Sequence, residues 1–223
     1  NTKIYCVRGP LSAKALDLPE SYAAIDAGVL VNRFLPEAPS VKYKFSYMPQ
    51  ISSVVKCPGV WEKVCNELGF GYLDPTYSVD QTIQNIRETE VLLTESMHGA
   101  IIAEALRVPW IPIITRQEIL GFKWQDWCYS INEEYSPISV PPIYEKYKDS
   151  FLRNMKEKLS IQKAKSMLLK ASKNKPTLGK ESVLNNKSEY TKLHADGLLA
   201  QALEHETDHL NGIMYFDHLQ KHE

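Results

Sequence analysis

No apolar run in this sequence approaches the ~20 residues that a membrane-spanning helix needs, so no span is expected. Cysteine is scarce: Cys6, Cys57, Cys65 and Cys128 are scattered without C-x-x-C spacing. They read as buried or half-buried reduced thiols, which predicts a reducing, cytoplasmic setting. An excess of charge is also missing, because 26 basic residues face 27 acidic ones for a formal net charge of -1. A whole-molecule field that recruits nucleic acid or an anionic membrane is thereby excluded, and a polyanionic partner would need a local patch. Internal repeats and low-complexity tracts are absent. The opening "NTKIYCVRGP" has no initiator Met, basic n-region or apolar h-region, so no signal peptide is expected there and the chain reads as one entered midway.

What is present is the composition of an ordinary globular protein, 43% hydrophobic and 24% charged over 223 residues. That length suits one large domain, or one medium domain with an appendage. Between residues 41 and 115 strand-like runs alternate with helical patterns. "VKYKFSYMP" is rich in aromatic and β-branched residues and is stopped by Pro49. "WEKVCNELG" places Trp61, Val64, Cys65 and Leu68 at helical spacing, with Gly69 as the stop. "FGYLD" is a short strand, and "SVDQTIQNIRETE" a helix with Ser78 at its N-cap and Val79, Ile83 and Ile86 on one face. "VLLTE" then reads as a buried strand, "GAIIAEALRV" as a small-residue helix, and "WIPIIT" as the next strand. This order predicts an α/β fold: a parallel sheet with right-handed crossovers and helices on both faces, with ligands at the carboxyl ends of the strands.

Beyond Ile119 the segment "GFKWQDWCYSINEEYSPISVPPIYEKY" is aperiodic and aromatic and is expected to wrap the domain as strand or loop. Residues 149–171 read as a basic amphipathic helix whose apolar face carries Phe151, Leu152, Met155, Leu159, Met167 and Leu168. Partial packing on the domain, or a membrane-surface or partner role, would each suit that helix. "SKNKPTLGKES", with Pro176 and Gly179, is the expected linker.

Two groups of residues point to chemistry. In "VLLTESMHGAIIAEALRVPW", Thr94, Glu95, Ser96 and His98 fall between a strand and a helix start, where free backbone N–H groups and the helix dipole favour an anion. Gly99 permits close backbone approach, and His98 can donate a proton or pair with a phosphate. Arg8, ahead of Gly9-Pro10 and a helix, offers a planar fork for phosphate or carboxylate.

"VRGPLSAKAL", "FSYMPQ", "YLDPTYSVDQTIQNI", "LLTESMHGAIIAEALRVPWIPI" and "FKWQDWCYS", in this order and spacing, resemble polysaccharide pyruvyl transferases over about residues 1–187. The resemblance implies a glycosyltransferase-B-like fold, of which this chain would hold the second half. It also implies transfer of the enolpyruvyl unit of phosphoenolpyruvate onto two hydroxyls of a glycan acceptor, giving a pyruvate ketal and phosphate, with no cofactor for this part. Arg8 would then hold an anionic group of the donor, with Ser96, His98 and Gly99 in the same substrate site. His98 would be phosphate ligand or general acid, and Glu95 the base for a sugar hydroxyl. Where that family often has His after Met-Pro, this sequence has Gln50, which cannot shuttle a proton.

The second group is "ALEHETDHLNGI". His205 and His209, four apart, would face one side of a helix and bind one divalent metal ion, with Glu206 as general base on metal-bound water. The surrounding "EYTKLHADGLLAQALEHETDHLNGIMYFDHL" resembles the last motif of peptide deformylases, whose metal is usually iron or zinc and which act on the formylated Met of new proteins. The resemblance covers residues 188–223 alone, and that family's third ligand, a Cys in a Glu-Gly-Cys-Leu-Ser segment, has no counterpart here. Neither does its Gly-rich oxyanion segment. His194, Asp196, Asp217 and His218 have no spacing that singles one out as a substitute. About 36 residues would not bury a core without docking on a larger body, so an inactive fusion of the two fragments stands beside the hydrolase. Association of identical chains stays open.

Overall fold

The computed structural model describes residues 4, 6–34, 39–116, 121–143 and 151–194. Its centre is a five-stranded parallel sheet in the order β2-β1-β3-β4-β5, formed by β1 (Tyr43–Met48), β2 (Gly71–Tyr72), β3 (Thr89–Thr94), β4 (Trp110–Ile114) and β5 (Ile138–Ser139). Met48 pairs with Thr94, and Thr94 with Pro112, so β1 and β3 end level with one another and β4 runs two residues further. The predicted α/β class and parallel sheet are what the chain forms.

Side chains alternate between two cores along each strand, as a sheet covered on both faces requires. Met48, Leu92 and Trp110 enter one core, with Ile83 and Ile86 of α4 (Val79–Arg87) and Ile101 of α5 (Met97–Ala105). Trp124 and Trp127 of α6 (Gly121–Ser130) complete that side. Tyr47, Leu93, Ile111 and Ile113 enter the other core, against α3 (Val60–Leu68) and α7 (Phe151–Ala171). The expected punctuation works locally: Ser78 Oγ accepts the Gln81 amide at 3.3 Å, and Gly69, at φ 69°, ends α3 in the left-handed region. Two short helices flank this scaffold, α1 (Pro10–Ala15) and α2 (Ile51–Lys56), and a 3-10 segment over Ala27–Phe34 packs on α5.

Three expectations are corrected. The aromatic stretch after Ile119 is not a wrapping strand or loop over residues 121–130 but the helix α6. Its three-dimensional neighbours explain the missing periodicity: Trp124, Asp126, Trp127, Cys128 and Ser130 are all buried, because the sheet, α1 and the Tyr135 ring cover most of its circumference. In α7 the buried face is Ser160, Ala164, Leu168 and Ala171, whereas Met155 and Leu159 are 49% and 58% exposed. Small residues let α7 lie close to α3, where Lys165 Nζ meets Glu67 Oε2 at 2.7 Å. The side chains of Phe151 and Leu152 lie outside the described set.

The third correction concerns the expected linker, which is docked. Thr177 exchanges both backbone hydrogen bonds with Trp110, at 2.7 and 3.0 Å. Beside it the Gly179 amide donates to both oxygens of Glu104 at 3.1 Å. Glu104 is fully buried, and it also accepts from Arg107 Nη1 at 2.7 Å and Trp110 Nε1 at 3.0 Å. A carboxylate can stay inside because three donors meet its two oxygens and one of them is the Arg107 guanidinium. The chain continues as α8 (Glu181–His194), which buries Leu184 and sends Lys187 Nζ to the Ala23 carbonyl at 2.7 Å.

Candidate functional site

From β1 the chain crosses to β2 on one side, and from β3 to β4 on the other, so the strand order reverses between β1 and β3. Loops diverging from two such neighbours leave a crevice at their carboxyl ends, the usual ligand position in open α/β sheets. Here residues 48–50, after β1, and residues 94–99, after β3, meet at that point. The Glu95 amide donates to the Met48 carbonyl at 2.9 Å, and the Gln50 amide returns to Glu95 Oε2 at 2.9 Å.

Glu95 is 2% exposed. Its Oε1 accepts the Thr115 amide at 3.1 Å and a very short hydrogen bond from the Thr115 hydroxyl. One carboxylate therefore gathers donors from the loops after β1 and β4 around the end of β3. The buried Tyr47 phenol nearby is raised well above its ordinary value, first by burial and then by the Glu95 carboxylate.

Thr94, 0% exposed, does not face the crevice; its hydroxyl accepts the Ser96 amide at 2.9 Å and donates to the Ser96 carbonyl at 3.0 Å, fixing the turn. Ser96 then N-caps α5, its Oγ accepting the Gly99 amide at 3.2 Å. A Cβ on Gly99 would lie 2.6 Å from Met48 Sδ and 3.0 Å from Thr94 Oγ1. Only glycine lets the start of α5 sit this close to the strand ends. His98 is half-buried in the same first turn.

Arg8 reaches this turn from far away in sequence. Its backbone is set by Val7, which pairs with Ala23. Arg8 Nε donates to Asp26 Oδ2 at 2.7 Å, and Nη1 lies 4.0 Å from Met97 Sδ, so the guanidinium is held beside the residue between Ser96 and His98. The structure thus brings Arg8, Ser96, His98 and Gly99 to one helix start. A guanidinium beside the first turn of a helix is the kind of arrangement that favours an anion.

The other helix start in this region is already filled. Asp126 Oδ1 accepts the amides of Leu11 and Ser12 at 2.8 and 3.0 Å, and Oδ2 takes a very short hydrogen bond from the Ser12 hydroxyl. A buried protein carboxylate therefore neutralises α1, whereas α5 is capped by an uncharged serine. Asp26, Thr115 and Asp126 were not singled out in the sequence. Asp126 lies inside a recognisable motif, but its partners are 114 and 115 residues away.

His205, Glu206 and His209 lie outside the described residues, as do Asp196, Asp217 and His218. Among the described residues no group of three His, Cys, Asp or Glu side chains could hold a metal ion. Cys57, Cys65 and Cys128 are buried in the cores, and burial pushes the Cys65 and Cys128 thiols up to about 12, the wrong direction for a thiolate ligand. The donor set that can be named does not complete a deformylase-type centre. Among the described residues no helix is long and apolar enough to cross a membrane.

Sheet order and flanking helices together define a doubly wound, parallel α/β domain with its switch point between β1 and β3. The family model for polysaccharide pyruvyl transferase matches residues 2–116, just over half of the chain, and the chain belongs to that family. A second model, for polypeptide deformylase, matches residues 179–223. Succinoglycan biosynthesis protein ExoV of Rhizobium meliloti (strain 1021) is 38% identical over 140 residues, 62% of this chain and 43% of that protein. The chain thus spans less than half the length of this relative. Peptide deformylase 1 of Clostridium acetobutylicum is 45% identical over 49 residues, 22% of this chain and 33% of that protein. Peptide deformylase of Opitutus terrae is 55% identical over 29 residues, 13% of this chain and 15% of that protein. No solved structure matches.

Proposed function

We propose that this chain forms the donor-binding side of an enzyme that moves the pyruvyl unit of phosphoenolpyruvate onto two hydroxyls of a glycan, in exopolysaccharide or cell-surface glycan synthesis. The observation that carries this is the Arg8 guanidinium held by Asp26 against Met97 in the first turn of α5, the turn that also carries His98, near the sheet's switch point. Phosphoenolpyruvate brings a phosphate and a carboxylate, and the site offers donors for either.

Protonation of the donor's methylene carbon leaves a cationic C2 stabilised by its oxygen. One sugar hydroxyl adds to C2 and loses its proton, phosphate leaves with the C–O bonding pair, and a second hydroxyl closes the ketal. Arg8 holds an anionic group and offsets the charge that grows on the departing phosphate. His98 is the phosphate ligand or the proton donor. Ser96 and the backbone at Gly99 complete the cradle. Glu95, expected as a base, already has both oxygens occupied by the Gln50 amide and Thr115, so we read it as the residue that holds the lips of the crevice together.

The test is phosphate release from phosphoenolpyruvate with a glycan acceptor. Arg8→Ala and His98→Ala should each lower the rate by about 10²-fold or more. Full activity in both variants, or no release with any acceptor, sinks the reading for this chain.

Similarity of residues 179–223 to deformylases supports a second reading, in which His205 and His209 take iron or zinc and Glu206 acts as base. With two protein ligands named where a catalytic site of this type needs three, no step is assigned to it. Metal analysis with a formyl-Met peptide assay decides it, and turnover that survives Glu206→Ala rules out this site.

A further inference from the structure

Arg8 is one of the longest side chains in the site, and an arginine serves an anion only if its fork is held in place before the ligand arrives. What holds it is Asp26, 4% exposed, on the segment leading into the 3-10 turn at Ala27–Phe34. The two carboxylate oxygens are divided. Oδ2 accepts Arg8 Nε at 2.7 Å, while Oδ1 accepts the Gly28 amide at 3.0 Å, which anchors the carboxylate to its own backbone. The Asp26 carbonyl accepts the Val29 amide at 3.2 Å, and Val29 and Leu30 are buried in the core that contains α5. Asp26 is therefore rigidly joined to the element whose first turn carries His98.

The bond also uses a particular part of the guanidinium. Asp26 occupies Nε, and the recorded partner of Nη1 is the Met97 thioether, a weak acceptor. The Arg8 side chain keeps 26% of its surface. The terminal N–H groups are thus presented at the start of α5, with Nε spent on orientation.

Resting on the donor-site reading above, we infer that Asp26 is a positioning residue for anion binding, setting the Arg8 fork against the first turn of α5. The opposite effect is physically distinct. A carboxylate that merely competed with the ligand for Arg8 would weaken binding, and its removal would tighten it.

Binding of inorganic phosphate and of phosphoenolpyruvate to the full 223-residue chain is measured by titration calorimetry for wild type, Asp26→Asn, Arg8→Ala and the double variant. Asp26→Asn keeps the side chain's shape and is expected to weaken phosphoenolpyruvate about tenfold, and it should have no further effect once Arg8 is alanine. A general structural loss would persist in the Arg8→Ala background, and so would overturn the inference. Unchanged or tighter binding in Asp26→Asn overturns it as well, while leaving the donor site intact if Arg8→Ala still weakens binding. Absence of binding to wild type removes the donor site and this inference together. Should Asp26→Asn lower the melting temperature, Asp26→Ser supplies the same comparison through the Gly28 bond alone.

Discussion

Asp126 shows how a single carboxylate can decide which of two helix starts is left for a ligand. Supplied by α6, it closes the opening amides of α1 and joins the two helices. Asp126→Ala would strand two amides and a hydroxyl in a buried seam, and is expected to cost at least about 2 kcal/mol. A urea midpoint shift at unchanged slope would report it, and a loss below about 0.5 kcal/mol would contradict the role. Arg8, His98, Ser96 and Gly99 could be singled out in the sequence because each chemical type sits beside a local signal, a helix start or a glycine, and the structure places them at one helix start. Asp26 and Asp126 were not, because an acidic residue in a loop or helix looks like solvated surface until its distant partner is known. Glu95 was legible as a site residue but not in its geometry, since its donors at Gln50 and Thr115 come from two other strand ends.

Among the elements, the central strands and the helices between them could be read because hydrophobic period and caps agree over residues 41–115. The same logic placed the face of α7 only in part: Leu168 is fully buried and Met167 packs on the core as expected, whereas Met155 and Leu159 are exposed. Its large apolar residues suggested Met155 and Leu159, but the contact with α3 and the sheet selects small residues that permit close approach, with Leu168 filling the space that remains. Leu168→Ala should therefore destabilise the chain by about 2–5 kcal/mol, and Leu159→Ala by less than about 1 kcal/mol. Equal losses in thermal or urea unfolding would mean that Leu159 is packed as Leu168 is, on the full apolar face expected from the sequence. The docked segment around Thr177 and Gly179 escaped for a related reason. Polar, Pro- and Gly-containing composition reads as linker, while the buried Glu104 that captures it lies 75 residues earlier.

At the scale of the molecule, a near-neutral chain offers no whole-molecule field to steer an anion, so the proposed donor site would rest on short-range contacts. The same packing that builds this crevice also buries phenols. Tyr47 is held well above its ordinary value by burial and Glu95, Tyr72 is raised by burial and Asp74, and burial pushes Tyr135 up to about 12, with smaller contributions from Cys128 and Glu95. Each folded-state value lies above that of the unfolded chain, near about 10. Their stabilising contribution is therefore complete below about pH 10 and is lost as pH rises from there through the folded values, because the unfolded chain releases these protons first. Alkaline titration followed at once by phenolate absorbance and circular dichroism should show exposed tyrosines ionising near pH 10 with the fold intact. A second group should ionise only as ellipticity falls. Tyr135→Phe should make the alkaline limb shallower and leave stability at neutral pH nearly unchanged, since among the described residues its buried hydroxyl has no hydrogen-bond partner to lose. A single phenolate transition near pH 10, completed before any loss of ellipticity, would mean that these hydroxyls reach solvent and that the cores beside the crevice are open.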